Sequence, residues 1–389
     1  MHWRYRHTVL VLCTLAFAAT MAARLVISPV VPDVTAGFDV STGAVGLALS
    51  GMWAAYAVTQ FPSGLLGDRY GERAVVLAAV GTTALTSLLL SVVPSFPLFA
   101  LVVVLLGAGA GLHYSVATAL LSREFDDIGR AIGFHVAGGP LAGLLAPIAA
   151  TAVVARYDWR AALALGAAVA APVFALFLWR VRPTPAARPD QPMRERLALS
   201  PLAELLTRPA IAYTTLLAVA GAFTWQATAS FLPTFLVSFR GLSETTAGLL
   251  FSLYFVVSGL AQPMTGWLSD RFSRDGVAAA DMAAGVAGFG LLVAGPSVAV
   301  VPAVVLVGVA MTWGAPIQSR YFDLFEAGEG GAAFGLVRTV YMVLGASGSV
   351  VVGVLSDAVG WTGAYGLLAG VMGLGLACLL ANRTFRLGL

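Results

Sequence analysis

The chain has 389 residues, of which 59% are hydrophobic and 11% charged, and its mean hydropathy is +0.88; soluble domains carry roughly 25% charged residues. That composition excludes a soluble globular fold and predicts a polytopic membrane protein. The net charge of +3 and pI near 9.0 follow from loop arginines and give no reason to expect a nucleic-acid partner, and Cys13 and Cys378 fall in apolar runs where they read as packing residues.

A helix that crosses the hydrocarbon core needs about 20 mainly apolar residues. Twelve such runs are predicted, near 8–31, 43–66, 74–93, 98–121, 131–155, 161–180, 210–236, 245–267, 277–295, 298–320, 332–356 and 362–381, hereafter helices 1 to 12. Helix 1 is too long for the apolar region of a signal peptide and is expected to stay uncleaved. It contains FAATMAARLVISP, which places Arg24 inside the membrane. Helix 2 carries Gln60 and leads through GLLGDRYGER to helix 3; helix 4 contains GAGAG, then His113 and Tyr114; helix 5 carries His135. Residues 181–209, with six prolines and five arginines, read as a linker, in which Ser200-Pro201 looks like the start of a short interfacial helix. Helix 7 carries Trp225 and Gln226, helix 8 Tyr254 and Gln262, helix 10 Gln318, and helix 11 Arg338 and Tyr341.

All 22 basic residues are arginines, and with the N-terminus in the cytoplasm 17 of them fall in loops on that side against three on the other. The positive-inside rule then puts both termini in the cytoplasm and requires an even number of spans. An internal repeat sets the plan. Shifted by 202 residues without a gap, Ser41, Gly46, Ser50, Gln60, Gly64, Asp68 and Arg69 fall on Ser243, Gly248, Ser252, Gln262, Gly266, Asp270 and Arg271. The expected organisation is an all-α integral membrane protein of two parallel six-helix repeats, residues 1–180 and 210–389, joined by 181–209, with a site between the halves near the bilayer midplane. Helices 3, 6, 9 and 12 have almost no bulky polar side chain at mid-depth and are expected to face lipid, while the other eight enclose a polar cavity.

The loop Gly64 to Arg73, GLLGDRYGER, resembles the signature G-x-L-x-D-R-x-G-R-[KR] of the major facilitator superfamily, and Gly266 to Asp275, GWLSDRFSRD, is similar to its degenerate second copy. The resemblance covers the whole chain and implies a twelve-helix transporter fold with no cofactor and no enzymatic centre, in a functional monomer of the cell membrane. It implies a gating role for Gly64, Asp68, Arg69, Gly71, Arg73, Asp270 and Arg271: Asp68 would cap helix 11 and Arg69 or Arg73 would pair with acids near Glu124 to Asp127. Glu72 departs from the motif, which has a basic residue there. The helix 5 segment GGPLAGLLAP keeps only part of the drug/proton antiporter pattern, and Leu105 stands where those antiporters often have an arginine.

All 19 acids map to loops or span ends, the deepest being Asp281 in the first turns of helix 9. Arg24 therefore has no neutralising acid at its depth. It reads either as a site for an anionic substrate, since arginine offers a bidentate fork to a carboxylate or phosphate, or as a side chain snorkelling to the outer headgroups. The repeat aligns Arg24 with Gln226, beside Trp225, and a single arginine in place of two favours a singly charged organic acid over a dianion. Gln60, Tyr114, Gln262 and Tyr341 are expected to line the same cavity; Arg338 lines the inner vestibule or snorkels to the cytoplasm. A coupling proton would sit on His113 or His135, whose ordinary pKa near 6.5 suits a switch, or either ring is a packing residue. GAGAG reads as small residues permitting close helix contact. The expected function is alternating-access transport of a small organic anion such as a monocarboxylate; the alternatives are proton-coupled efflux of hydrophobic compounds and a membrane receptor or sensor on the same scaffold.

Overall fold

The computed structural model describes residues 4–125, 127–189, 200–326 and 330–389; part of the expected linker, residues 190–199, lies outside them. Among the described residues eleven helical runs are long and apolar enough to cross a membrane: Tyr5–Phe38, Thr42–Tyr70, Glu72–Leu90, Phe96–Glu124, Ile128–Val154, Trp159–Arg180, Pro209–Ser238, Glu244–Arg271, Arg274–Ala294, Ser297–Leu324 and Ala333–Phe385. The last is two helices. It breaks at Gly360, where φ is 76°, a left-handed geometry that glycine adopts without a Cβ clash. Twelve helices result among the described residues, most of them within a few residues of their predicted runs, while helix 1 extends seven residues beyond its predicted end, to Phe38. A short helix, Ser200–Thr207, precedes helix 7.

The chain divides into two compact units, one of Met1–Val40 with Gly51–Ala198 and the other of Ser41–Ser50 with Leu199–Leu389. In the first, Val9, Leu12, Cys13 and Ala16 of helix 1 pack with Val76 and Val80 of helix 3, Leu120 of helix 4 and Phe177 of helix 6. Lipid tails are as apolar as these side chains, so the packing itself, not water exclusion, holds the helices together. The GAGAG segment shows how close that packing is: a Cβ on Gly107 would lie 2.1 Å from the Met52 carbonyl, and one on Gly111 2.3 Å from that of Tyr56. Helix 4 thus presses its glycine face on helix 2 and fixes Trp53 and Tyr56, which lie on the same stretch.

In the second unit Gly348 of helix 11 approaches the Phe223 carbonyl of helix 7, and Ser230 and Ser349 hydroxyls meet at 2.7 Å. Ser41–Ser50, at the N-terminal end of helix 2, belongs here. The Asp357 carboxylate accepts the Gly43 N–H at 2.7 Å and the Thr42 N–H at 3.2 Å, a carboxylate capping a helix N-terminus. The Ser50 hydroxyl donates to the Ala346 carbonyl at 2.6 Å.

Four spans are interrupted. Helix 1 stops at Leu25 and resumes as a 3-10 turn at Ser28–Val30, because Pro29 has no N–H to continue the ladder. Helix 5 breaks at Ala137, just before Pro140, and helix 10 between Ala310 and Gly314. There Pro316 cannot serve the Thr312 carbonyl, which accepts from Ala315 N–H at 3.0 Å instead. Helix 4 breaks at Leu112, directly after the glycine run, whose residues have the weakest helix propensity short of proline.

Candidate functional site

Arg24 lies in the last turn of helix 1 and is 2% exposed. Its side chain runs back toward the helix N-terminus, Nε donating to the Thr20 carbonyl at 3.1 Å and Nη2 lying 3.6 Å from the Met21 sulfur. A side chain reaching past the C-terminal end of this helix segment would run in the opposite direction. The guanidinium carbon sits 4.0 Å from the Tyr56 ring centroid and 5.0 Å from that of Trp53. Cation–π contacts contribute about 0.5–2 kcal/mol each, while the burial of a charge costs several kcal/mol even after relaxation. The two rings therefore offset only part of the penalty. No carboxylate is among the described contacts, and Nη1 has no hydrogen-bond partner among the described residues. Sequence reasoning missed the two rings. Their signal was the Trp53–Tyr56 spacing of three, which puts both on one face of helix 2.

His113 opens the second half of helix 4 and His135 lies in the last turn before the helix 5 break. The structure brings them together: their ring centroids are 5.3 Å apart, Phe17 lies 6.1 Å from one and 5.2 Å from the other, and Tyr114 is 5.9 Å from His135. Both histidines are fully buried, and the backbone of Cys13 interacts with both rings. Arg24 is within electrostatic range of His113. Gln60, also buried, sits on helix 2, and its carbonyl accepts from Ser115 of helix 4 at 3.2 Å.

In the second unit Gln226 is fully buried and its amide donates to the Met342 carbonyl at 3.0 Å, while Oε1 is unmatched among the described residues. Trp225 and Arg338 are half-buried. Tyr341 is buried, with its ring 6.0 Å from Trp313 at the helix 10 break. Gln262 is exposed, and its amide, like that of Gln318, lies close to Gly314. One expectation is corrected here. Asp281 is not a span-end acid: it is 2% exposed and its Oδ1 lies 3.2 Å from Thr312, near the middle of helix 10. Position along helix 9 understated its depth because the inner face of that helix meets helix 10 at the break.

The signature loop also differs from expectation. Gly64 is half-buried, and Gly71 takes φ 85° with room for no Cβ, which would lie 2.2 Å from the Thr184 carbonyl. Among the described residues Arg73 does not pair with the acids after helix 4; Nε donates to the Val181 carbonyl and Nη2 to that of Leu178, each at 2.7 Å, where a cation complements the C-terminus of helix 6. Arg69 is exposed, over the Tyr70 ring. The Asp68 carbonyl accepts from Arg188 N–H at 2.9 Å. Of the expected acids, Asp126 lies outside the described residues, and Asp127 caps its own helix through Arg130 N–H at 3.3 Å. Among the described residues Glu72 pairs with Arg123 at 2.7 Å. The departure from the motif at Glu72 is thus matched by a basic residue across the gap. In the repeat the polarity is reversed: Arg274 stands at the Glu72 position and pairs with Asp323 at 3.0 Å, and also with Asp270. Asp270 and Arg271 are exposed.

A model of the Major Facilitator Superfamily matches residues 12–243 and 216–386. "Membrane sensor protein UhpC" of Escherichia coli (strain K12) is 27% identical over 188 residues, which is 48% of this chain and 42% of that protein. "Probable nitrate/nitrite antiporter NarK1" of Thermus thermophilus is 30% identical over 289 residues, 69% of this chain and 62% of that one. The chain spans less than two thirds of the length of either relative. A bacterial homolog of the human lysosomal transporter Spinster, solved in an inward-facing and unoccupied conformation, superposes with a TM-score of 0.83 at 17% identity, covering 99% of this chain and 98% of that one. At that identity the likeness is one of fold. A match running through both halves is what the 202-residue register requires, and the chain is a member of the Major Facilitator Superfamily, a family of membrane transporters rather than enzymes.

Proposed function

We propose that the chain is a secondary transporter of the cell membrane that moves a small organic anion, a monocarboxylate in preference to a dianion, by alternating access. The observation that carries this reading is Arg24: a buried guanidinium with an unmatched Nη1, two aromatic walls and no carboxylate among its described contacts. A charge so placed is stabilised by an anion that arrives from outside, through short charge-assisted hydrogen bonds. In the first unit Gln60 and Tyr114, and in the second Gln226 with its unmatched Oε1, Trp225, Gln262, Arg338 and Tyr341, are the further proposed substrate contacts. The name of the Thermus relative, a probable nitrate/nitrite antiporter, favours a small anion.

Residues 1–180 and 210–389 act as the two bundles, 181–209 tethers them in the cytoplasm with both termini, and the lipid-embedded monomer is the working unit. Asp68, with the rest of the signature loop and its second copy, latches the cytoplasmic side. His113 and His135, whose rings lie 5.3 Å apart, are the proposed proton carriers.

Counterflow into proteoliposomes, screened over monocarboxylates, phosphate esters and lipophilic cations, tests the reading. Saturable exchange of a monocarboxylate is expected. Flux of lipophilic cations without anion flux overturns it in favour of efflux. Binding without flux makes the chain a sensor, as the name of the Escherichia coli relative describes that protein.

A further inference from the structure

Asp281 takes no part in the anion site. It lies on the face of helix 9 that also carries Gly285 and Gly288, one and two turns on. Those glycines let helix 9 close on its neighbours: a Cβ on Gly288 would lie 2.9 Å from the Val307 backbone nitrogen of helix 10, and one on Gly285 2.9 Å from the Met372 side chain of helix 12. The carboxyl group is consequently shut between helices, with Oδ2 unmatched among the described residues and Oδ1 facing Thr312, itself fully buried at the helix 10 break.

The Thr312 hydroxyl has one proton to give. It lies 2.7 Å from the Val309 carbonyl, which can only accept, and 3.2 Å from Asp281 Oδ1. The shorter contact takes the hydroxyl proton. The contact between the two remaining oxygens is then attractive only if Asp281 supplies a proton of its own. An ionised carboxylate here would face a lone pair, with no cationic side chain among its described contacts, at a cost of several kcal/mol.

The charged groups of the helices packed against helix 9 are engaged or exposed. Arg320 binds Asp275 and Thr214, Arg274 binds Asp270 and Asp323, and Asp357 caps helix 2. Glu244, Arg271 and Arg383 are exposed, and Arg338 is half-buried with interactions of its own. The remaining titratable groups on those helices are the phenols of Tyr254, Tyr321, Tyr341 and Tyr365 and the Cys378 thiol. We propose that Asp281 is a proton-binding site whose occupancy is read by the break in helix 10. With the proton bound, helix 9 is tied to the break at Thr312. Once it is lost, the carboxylate requires water, and the break must open to admit it.

The test needs no transported substrate, so its failure is separable from that of the anion reading. Infrared difference spectra of the purified protein in liposomes, between acid and alkaline pH, should show a protonated-carboxyl C=O band that is lost as pH rises. The band should be absent from Asp281→Asn, and acid-driven proton uptake should fall by one proton per molecule. In Thr312→Val, which keeps the acid, the band should persist at a shifted frequency. An identical band in Asp281→Asn, or an unmoved one in Thr312→Val, overturns the proposal. So does a wild-type band abolished at fixed pH by sodium chloride but not by choline chloride, which would make the site a sodium site.

Discussion

Removing Arg123 should cost far more stability than removing the glutamate that pairs with it. Glu72 is 4% exposed in its side chain and Arg123 40%, so the two ends of one ion pair sit in different solvents. Arg123→Gln strands a carboxylate whose Oε2 already has no described partner. Breaking a fully buried pair in this way costs about 3–5 kcal/mol. Water reaches this pair from the arginine side, so screening lowers the expected loss to about 1–3 kcal/mol. Glu72→Gln leaves an arginine that swings into solvent, and should cost about 0–1 kcal/mol. The double variant should resemble Glu72→Gln, because the stranded charge is gone, so the coupling energy in the cycle should match the Arg123→Gln loss, about 1–3 kcal/mol. Thermal unfolding in detergent, followed by tryptophan fluorescence, reads all four proteins. The same cycle on Arg274 and Asp323, 27% and 56% exposed, should show losses of only about 0–1 kcal/mol. Equal losses from the two single variants at 72 and 123, or strict additivity, would refute the reasoning.

Gly107→Val should destabilise the first unit by about 1–3 kcal/mol, since any Cβ meets the Met52 carbonyl; the check is a lower unfolding temperature together with loss of substrate binding, as Trp53 and Tyr56 move from Arg24. His113→Gln should abolish uphill accumulation driven by a pH gradient while sparing exchange, because the amide keeps hydrogen bonding but does not titrate near neutrality. Retained pH-driven accumulation in that variant would remove the histidine pair from coupling.

Much of the fold was legible because a 20-residue apolar run is a strong signal, and the doubled Gly-x-Leu-x-Asp-Arg loop fixed the register of the halves. The break at Gly360 between helices 11 and 12 fell where the predicted runs separate. The break at Leu112 was not readable, since no proline marks it and GAGAG is equally compatible with an unbroken helix. Arg24 stood out as an isolated charge, but its cage did not, because Trp53 and Tyr56 look like any aromatic pair on a helix face. Glu72 looked like a flaw in a motif until Arg123, 51 positions on in the sequence, was seen across from it. Asp281 was underestimated for the same reason: distance along one helix does not say what part of another helix lies opposite.

The central claim is that Arg24 holds an anionic substrate, and the most direct test is the affinity of the substrate found by counterflow for purified wild type, Arg24→Ala, Arg24→Lys and Gln226→Ala, each shown to be folded. Loss of a charge-assisted contact worth about 1.5–3 kcal/mol should weaken binding roughly 10- to 150-fold in Arg24→Ala. Lysine restores charge but not the planar fork, so Arg24→Lys should stay impaired. Gln226→Ala should lose about 0.5–1.5 kcal/mol, the range of a neutral hydrogen bond. Wild-type affinity in folded Arg24→Ala would contradict the account.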